Sequence, residues 1–222
     1  MKLFITGTDT NVGKTHISVG LLNFFNQQGM RTLGIKPIAA GCDDRFGKLF
    51  NADALQLQAA SSIKLPYAMI NPFAFLPAIA PHLAAIAVEE RLTVKRVMRA
   101  TRQALSYPAD VYVIEGAGGW YVPLNHHETL ADYVCQSGFN TILVVGMRLG
   151  CLNHALLTLK AMGAQGVTVR GWVANCLEQP AMPWLAENVA ALKSCLDAPC
   201  LGVVQHGQCF LPDEADDYLK LS

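Results

Sequence analysis

A short segment near the N-terminus has the residue types and spacing of a phosphate-binding loop. Residues 7–15 read GTDTNVGKT and stand between a predicted strand and a predicted helix. Backbone N–H groups and the helix N-terminus there would face a bound anion. Lys14 would contact the β- and γ-phosphates of a nucleotide, and the Thr15 hydroxyl would bind Mg²⁺. The strict pattern has glycine where this chain has Thr8, so we interpret the loop as a variant; the alternative is a chance GKT.

A second segment places an acid at the end of an apolar strand. Residues 111–115 read VYVIE, and GAGGW follows directly. A carboxylate at Glu115 could bind Mg²⁺ directly or through water. The glycines at 116, 118 and 119 would let the backbone approach a transferred phosphoryl group closely. The alternative is that Glu115 is a helix-capping or solvated acid.

Two charged residues could complete such a site. Lys36 closes the second predicted strand, where an ammonium group could stabilise phosphate or carbamate charge. An exposed strand-end lysine is the alternative. Asp53 opens a predicted helix, and capping is the commoner role for aspartate at that position. A metal role would require Asp53 to lie close to Thr15 and Glu115, which spacing alone cannot establish.

Two further strand ends carry polar or unpaired groups. Residues 149–154 read LGCLNH and open a helix, where free N–H groups could hold a carboxylate without a basic side chain. An ordinary strand-to-helix turn is the alternative. Asn175 ends another strand, where its amide could contact the edge of a base, and a turn asparagine is an equal alternative.

The elements that must position these residues alternate between strand and helix. The predicted strands are 2–6, 32–36, 111–115, 141–145 and 168–174, and the predicted helices are 14–28, 53–61, 94–105, 130–136, 152–162 and 183–196. Continuous apolar strands indicate burial on both faces, as in a parallel sheet. We therefore predict an α/β, doubly wound fold with a mainly parallel sheet flanked by helices, whose ligands bind at the carboxyl ends of the strands. Residues 1–222 are predicted to form one domain, with 65–88 as an excursion beside the site.

Composition narrows the class of protein. Apolar residues make up 52% and charged residues 15% of the 222 residues, which argues against disorder. Seventeen basic residues balance seventeen acidic ones, so nucleic acid and anionic membranes are not expected partners. No apolar run reaches the ~20 residues of a membrane helix. The seven cysteines show no metal-binding spacing, which fits a reducing compartment and predicts a cytoplasmic protein.

The motifs taken together resemble those of the ATP-dependent dethiobiotin synthetases, a P-loop family of biotin biosynthesis. The segments that carry the resemblance are, in chain order, GTDTNVGKT, KPIAAG, NADAL, EGAGGW, LGCLNHA and GWVAN. They span residues 7–175, about three-quarters of the chain. The resemblance implies a ligase that uses MgATP and CO2 to carboxylate diaminopelargonate, phosphorylates the carbamate, and closes a ureido ring to give dethiobiotin, ADP and phosphate.

The resemblance also implies roles for individual residues. Lys36 and Lys14 would be catalytic, and Thr15, Asp53 and Glu115 would hold Mg²⁺. The residues implied to bind ATP are Asn11, Val12, Gly13, Lys14, Thr15, His16, Asp53, Glu115, Gly116, Ala117, Gly118 and Asn175. Those implied to bind substrate are Thr10, Ala40, Gly150, Cys151, Leu152 and Asn153. A homodimer is implied as well, in which residues 150–153 hold the substrate carboxylate in the neighbouring subunit.

Three positions depart from the family pattern. Asn11 stands where glutamate is frequent, and Ala40 stands where serine is usual, which removes one hydroxyl contact to substrate. Val204 and Gln205 replace an Ile-Pro pair that is common near the adenine site. These departures bear on nucleotide affinity and substrate contacts more than on the class of reaction.

Other nucleotide-dependent functions are weaker alternatives. A switch ATPase of the partition and septum-site kind carries a lysine where this chain has Asp9, and a guanine-nucleotide switch needs Asn-Lys-x-Asp where residues 175–178 read NCLE. A corrin amide ligase often carries a glutamine-hydrolysing domain, for which 222 residues leave no room. A metabolite kinase, which would consume ATP without CO2, is the remaining alternative.

Overall fold

The structure is a computed structural model that describes residues 1–210. Its strands, numbered in chain order, are β1 Lys2–Gly7, β2 Thr32–Ile35, β3 Ile38–Ala39, β4 Asp43–Arg45, β5 Lys48–Phe50, β6 Phe73–Ala74, β7 Val111–Glu115, β8 Asn140–Met147, β9 Val169–Cys176 and β10 Cys200–Val204. Its α-helices are α1 Lys14–Gln27, α2 Ala52–Ala60, α3 Tyr67–Ile70, α4 Pro81–Ile86, α5 Val94–Arg102, α6 Leu130–Ser137, α7 Cys151–Ala164 and α8 Leu185–Cys195. A short 3₁₀ helix covers Ala104–Ser106.

Six strands form a central sheet in the order β10-β9-β8-β1-β7-β2. Every pair of neighbours in it is parallel. Parallel neighbours need crossover connections, and the helices between successive strands supply them. The predicted α/β fold with a mainly parallel sheet is thereby confirmed. Two small pairs, β3 with β6 and β4 with β5, lie outside this sheet.

Helices cover both faces of the sheet, as alternate residues of β1 demonstrate. Leu3 and Ile5 belong to a buried cluster that also contains Leu21 of α1. Phe4 belongs to a different cluster, where its ring stacks on Phe139. Successive side chains of a strand point to opposite faces, so β1 packs against one helical layer on each side. This double burial explains why the strand sequences are continuously apolar rather than alternating.

Two helix boundaries have clear local causes. The side chain of Asn51 accepts hydrogen bonds from the backbone N–H groups of Asp53 and Ala54, so Asn51 caps α2. Asp53 is therefore not the cap, and its carboxylate is free for another role. At the end of α1, Gly29 adopts a φ of 75°, a left-handed conformation that favours glycine and ends the helix.

The stretch 65–88, which the sequence left unassigned, contains α3, β6 and α4. The strand β10 was not predicted, because its burial comes from pairing with the distant β9. The assignment of residues 1–222 to a single domain stays a prediction, since 211–222 lie outside the described residues. Within residues 1–210, no helix combines the length and the apolar character needed to cross a membrane.

Candidate active site

A cleft of about 1050 Å³ opens at the carboxyl ends of the central strands. This is the edge at which a doubly wound sheet binds its ligands. The predicted site residues that line it are Thr10, Asn11, Gly13, Lys14, Thr15, His16, Lys36, Ala40, Asp53, Glu115, Ala117 and Gly118. A second cavity of about 380 Å³ lies beside α4, and none of the predicted site residues lines it. The fold thus gathers most of the sequence candidates at one place.

The loop between β1 and α1 presents its backbone to the cleft. Gly13 has a φ of 89° and Asn11 a φ of 58°, both in the left-handed region that lets successive N–H groups converge. No side chain caps the N-terminus of α1, so its first N–H groups are available to an anion. A Cβ on Gly13 would lie 2.1 Å from the Nδ2 atom of Asn175. Only glycine fits this position.

Lys14 folds back over the loop in this structure. Its Nζ atom donates a hydrogen bond to the carbonyl oxygen of Asp9 at 2.9 Å. Burial, and then the neighbouring Lys36 ammonium, lower the pKa of Lys14 to about 8. The side chain is therefore a cation near neutral pH that has few partners of its own, which suits it to an incoming phosphate group.

Lys36 forms the centre of a charged cluster at the floor of the cleft. Its Nζ atom lies 2.5 Å from Oε1 of Glu115 and 2.9 Å from Oδ2 of Asp53. Burial lowers the pKa of Lys36, but the two carboxylates outweigh it and the net shift is upward. For Asp53, burial raises the pKa, and the Lys36 ammonium more than reverses this, so the net shift is downward. These two shifts favour the charged forms of Lys36 and Asp53.

Three oxygen-bearing side chains in this cluster could hold a divalent cation. The Thr15 hydroxyl donates to Oε1 of Glu115 at 2.9 Å. The Asp53 carboxylate contacts the Lys36 ammonium and is also hydrogen-bonded to Thr15. Within the part of the chain that the structure describes, Oε2 of Glu115 is buried and has no hydrogen-bond partner. An unpartnered carboxylate oxygen beside a hydroxyl and a second carboxylate fits a hard cation that prefers oxygen ligands. The described residues contain no cluster of three or more His, Cys, Asp or Glu side chains suited to a metal.

A network that the sequence did not reveal fixes the position of Lys36. The backbone N–H of Lys36 donates to the carbonyl of Ile70, and Nδ2 of Asn71 donates to the carbonyl of Lys36. The Tyr67 hydroxyl donates to Asn71 and accepts from the backbone N–H of Asn51, the cap of α2. Residues 67–71 thus connect the two elements that supply Lys36 and Asp53. The Pro-rich composition of this stretch did not predict these hydrogen bonds.

Some predicted residues support the cleft or lie away from it. Asn175 is buried, and its Nδ2 atom donates to the carbonyl of Val12 at 2.9 Å. The amide therefore braces the phosphate-binding loop from behind. Val12 is itself fully buried, and a Cβ on Gly116 would meet the Phe4 ring at 2.9 Å. These three residues shape the site without lining the cleft.

The segment 150–153 does not enter the cleft of its own chain. Gly150, with a φ of 94°, precedes α7, whose N-terminus has no side-chain cap. The preceding Leu149 is 96% exposed. Arg148 forms an ion pair with Asp9 at 2.5 Å, which holds the segment beside the phosphate-binding loop. An uncapped helix N-terminus and an exposed leucine here leave the segment accessible to another molecule.

Comparisons with known proteins agree with this geometry. A family model described as "AAA domain" matches residues 1–208. The ATP-dependent dethiobiotin synthetase BioD of Cellvibrio japonicus is 48% identical over 219 residues, covering 99% of this chain and 95% of the relative. The protein of the same name from Chromohalobacter salexigens is 44% identical, covering 98% and 97%.

Solved structures at low sequence identity support the fold alone. The septum site-determining protein MinD from Pyrococcus horikoshii, complexed with Mg-ADP, aligns with a TM-score of 0.53 at 16% identity, covering 92% of this chain and 82% of that one. The signal recognition particle receptor FtsY from Elizabethkingia anophelis, in complex with GDP, aligns with a TM-score of 0.57 at 16% identity, covering 99% and 62%. Because the identity to the bacterial synthetases extends over nearly the whole of both chains, the chain belongs to the family of ATP-dependent dethiobiotin synthetases.

Proposed function

We propose that this chain makes dethiobiotin from diaminopelargonate, CO2 and ATP. One substrate amine adds to CO2 and loses a proton, which gives a carbamate. The γ-phosphoryl group of ATP is transferred to a carbamate oxygen and ADP departs. The second amine attacks the carbamoyl carbon, phosphate leaves, and the ureido ring closes. The observation that carries this proposal is the single cleft in which a phosphate-binding loop, Lys14, Lys36 and two acids meet.

The protein's part in this reaction is positioning and charge stabilisation. No described side chain in the cluster needs to form a covalent bond with substrate, because the carbamate and the second amine are the nucleophiles. Backbone N–H groups of residues 11–16 would hold the phosphates, and the Lys14 ammonium would neutralise charge on the γ-phosphate. Lys36 would neutralise the carbamate oxygens and the transferred phosphoryl group. Because the Lys36 ammonium is already held in place, it would neutralise these charges without the reorientation that water molecules would need.

Thr15, Asp53 and Glu115 are the residues we assign to Mg²⁺. The unpartnered Oε2 atom of Glu115 supports this assignment, since a buried carboxylate oxygen needs a partner. Bound there, Mg²⁺ would supply charge neutralisation at the β- and γ-phosphates of ATP. The protein supplies the oxygen ligands and fixes them with the hydrogen bond between Thr15 and Glu115.

We assign substrate contacts to Thr10 and Ala40 in the cleft, and to residues 150–153 of a second subunit. Thr10 and Ala40 line the cleft of the chain itself, whereas 150–153 do not. Free N–H groups at the start of α7 suit a carboxylate, and the exposed Leu149 suits a subunit contact. A homodimer would bring these groups to the neighbouring cleft.

All seven cysteines are free thiols, which supports a cytoplasmic site of action.

Phosphate release tests the proposed reaction. The purified protein would be assayed with MgATP and diaminopelargonate, in the presence and absence of bicarbonate. We expect release only when both co-substrates are present, because phosphoryl transfer requires the carbamate. Release that needs neither would indicate a switch ATPase, and release with the diamine alone would indicate a kinase. Lys14→Ala, which removes the charge at the phosphates, serves as the inactive control.

A further inference from the structure

The run of residues 70–77 lies along the segment 36–42, which carries Lys36 into the cleft. Strand β6 in the first pairs with strand β3 in the second, and the backbone N–H of Phe73 donates to the carbonyl of Pro37 at 3.2 Å. These hydrogen bonds join backbone atoms, so they fix the path of the segment whatever its side chains are. How far the segment stands from helix α2 on the other side of the cleft floor requires a further connection.

The hydroxyl of Tyr67 makes that connection. It accepts a hydrogen bond from the backbone N–H of Asn51 at 2.7 Å and donates one to Oδ1 of Asn71 at 3.0 Å. Nδ2 of Asn71 in turn donates to the carbonyl of Lys36 at 2.8 Å. Burial raises the pKa of Tyr67, so the hydroxyl keeps the proton that it donates. Because Asn51 and Asn71 are both buried, water competes little for these bonds.

The hydrogen bonds of Tyr67 close a ring through the charged cluster of the cleft. At one end of the chain of bonds is the backbone of Lys36, and at the other is Asn51, which lies two residues before Asp53. Across the cleft floor, Nζ of Lys36 lies 2.9 Å from Oδ2 of Asp53. In such a ring one separation cannot change unless another does. The tyrosine side chain therefore helps to set how far apart the elements that carry the ammonium and the carboxylate stand.

The start of α2 has no other side-chain tie of this kind. Among residues 1–210, only Tyr67 and the cap Asn51 itself accept hydrogen bonds from the backbone N–H groups of residues 51–54. The hairpin that precedes the helix is exposed at residues 43–48. The Tyr67 ring packs on Phe50, with centroids 4.7 Å apart. Removing only the hydroxyl would keep this ring contact and break the polar link.

We propose that Tyr67 is a positioning residue that sets the separation between the Lys36 ammonium and the Asp53 carboxylate. Of the described residues, Tyr67 is not one that lines the cleft, so it acts through its two asparagine partners and touches neither nucleotide nor substrate. The inference rests on the proposed function in one respect, that Lys36 neutralises the carbamate during phosphoryl transfer. Loss of the hydroxyl would then slow the reaction and leave the phosphate contacts of residues 11–16 intact.

Steady-state kinetics and calorimetry on the full chain test the effect of Tyr67→Phe on the reaction. We expect kcat to fall by about tenfold to hundredfold, because a displacement of about 1 Å at a reacting centre can have that effect. KM for ATP and the stoichiometry and dissociation constant of MgADP should match the parent protein. The matched control is Tyr107→Phe, which removes an exposed phenol that precedes β7 at the amino edge of the sheet, and it should leave kcat unchanged.

Two further measurements separate positioning from general support of the fold. Asn71→Ala should lower kcat like Tyr67→Phe, and the double variant should be no slower than the slower single variant, because both substitutions break one network. Crystal structures of the ligand-free parent and of Tyr67→Phe measure the separation directly and require no turnover. We expect the distance from Nζ of Lys36 to Oδ2 of Asp53, 2.9 Å here, to exceed about 3.2 Å in the variant.

Four results would overturn the proposal. Unchanged kcat in Tyr67→Phe would show that the hydroxyl does not serve the reaction, and a parallel loss of kcat and of MgADP stoichiometry would show that it only supports folding. Additive effects of Tyr67→Phe and Asn71→Ala would show that the two residues act separately. An unchanged distance between Lys36 and Asp53 would remove the physical basis. If the parent protein releases no bicarbonate-dependent phosphate, the proposed function fails, and the crystal structures still decide whether Tyr67 sets the separation.

Discussion

Replacing Lys36 with methionine should destabilise the fold by a predictable amount. The side chain of Glu115 is fully buried and lies 2.5 Å from the Lys36 ammonium. The carboxylate of Asp53 is 40% exposed, so water screens its loss of a partner. The cost therefore arises mainly at Glu115, where removing one member of a buried ion pair costs about 3–5 kcal/mol. Because Thr15 still donates to Glu115 and methionine fills the volume of the lysine stem, we expect the low end, about 3 kcal/mol.

Urea unfolding without nucleotide or divalent cation measures this loss directly. The double variant Lys36→Met/Glu115→Gln is the informative control. Its second substitution removes the Glu115 carboxylate charge that Lys36→Met leaves without an ammonium partner. We expect the double variant to recover most of the free energy of unfolding that Lys36→Met loses, which is strong coupling in a double-mutant cycle. A loss below about 1 kcal/mol, or additive effects of the two substitutions, would refute the buried-pair argument. Circular dichroism before unfolding establishes that each variant is folded.

Two further outcomes follow from the geometry of the loop and of residue 149. Gly13→Ala should abolish nucleotide binding in calorimetry. The new Cβ would lie 2.1 Å from Asn175, and a φ of 89° disfavours alanine. Retained binding would show that the loop does not need the backbone conformation described for Gly13. Leu149→Asp should shift the sedimentation coefficient from dimer to monomer and lower activity, because it places a charge at a 96% exposed leucine assigned to the subunit contact; an unchanged dimer would remove residue 149 from the interface.

Much of the fold was accessible from the sequence because its signals are local and strong. The strand VYVIE (111–115) matches β7 residue for residue, and Lys14 begins α1 as predicted. The strand shows as a continuous apolar run that ends at an acid, and the helix start shows as the glycine directly before Lys14. The strand β10 was missed because its burial comes from pairing with β9, a non-local contact. The helices within the stretch 65–88 were not predicted because α3 and α4, with four and six residues, are too short to show a helical period.

For the candidate site, most of the participating residues were predictable from the sequence, but their contacts were not. The strand-end rule placed Lys36 and Glu115 at one edge of the sheet, and the structure has them there. It could not decide between a capping and a metal-binding Asp53; the structure gives the cap to Asn51 and places Asp53 2.9 Å from Lys36. The contact between His16 and Gln208 joins residues 192 positions apart. No local pattern encodes such a contact.

Because the charges at the floor of the cleft cancel, nucleotide binding depends more on how groups are positioned than on net electrostatic attraction. Lys14 and Lys36 are balanced by Asp53 and Glu115, so the four ionisable groups at its floor sum to zero. A triphosphate therefore gains little from net charge, and its binding must depend on oriented N–H groups of the loop and on the cation it brings. Lys36 is already paired with two acids, so it can serve a carbamate only when those acids gain another positive partner. Asp53 and Glu115 are the acids assigned to Mg²⁺, which would supply that positive charge when bound with the nucleotide.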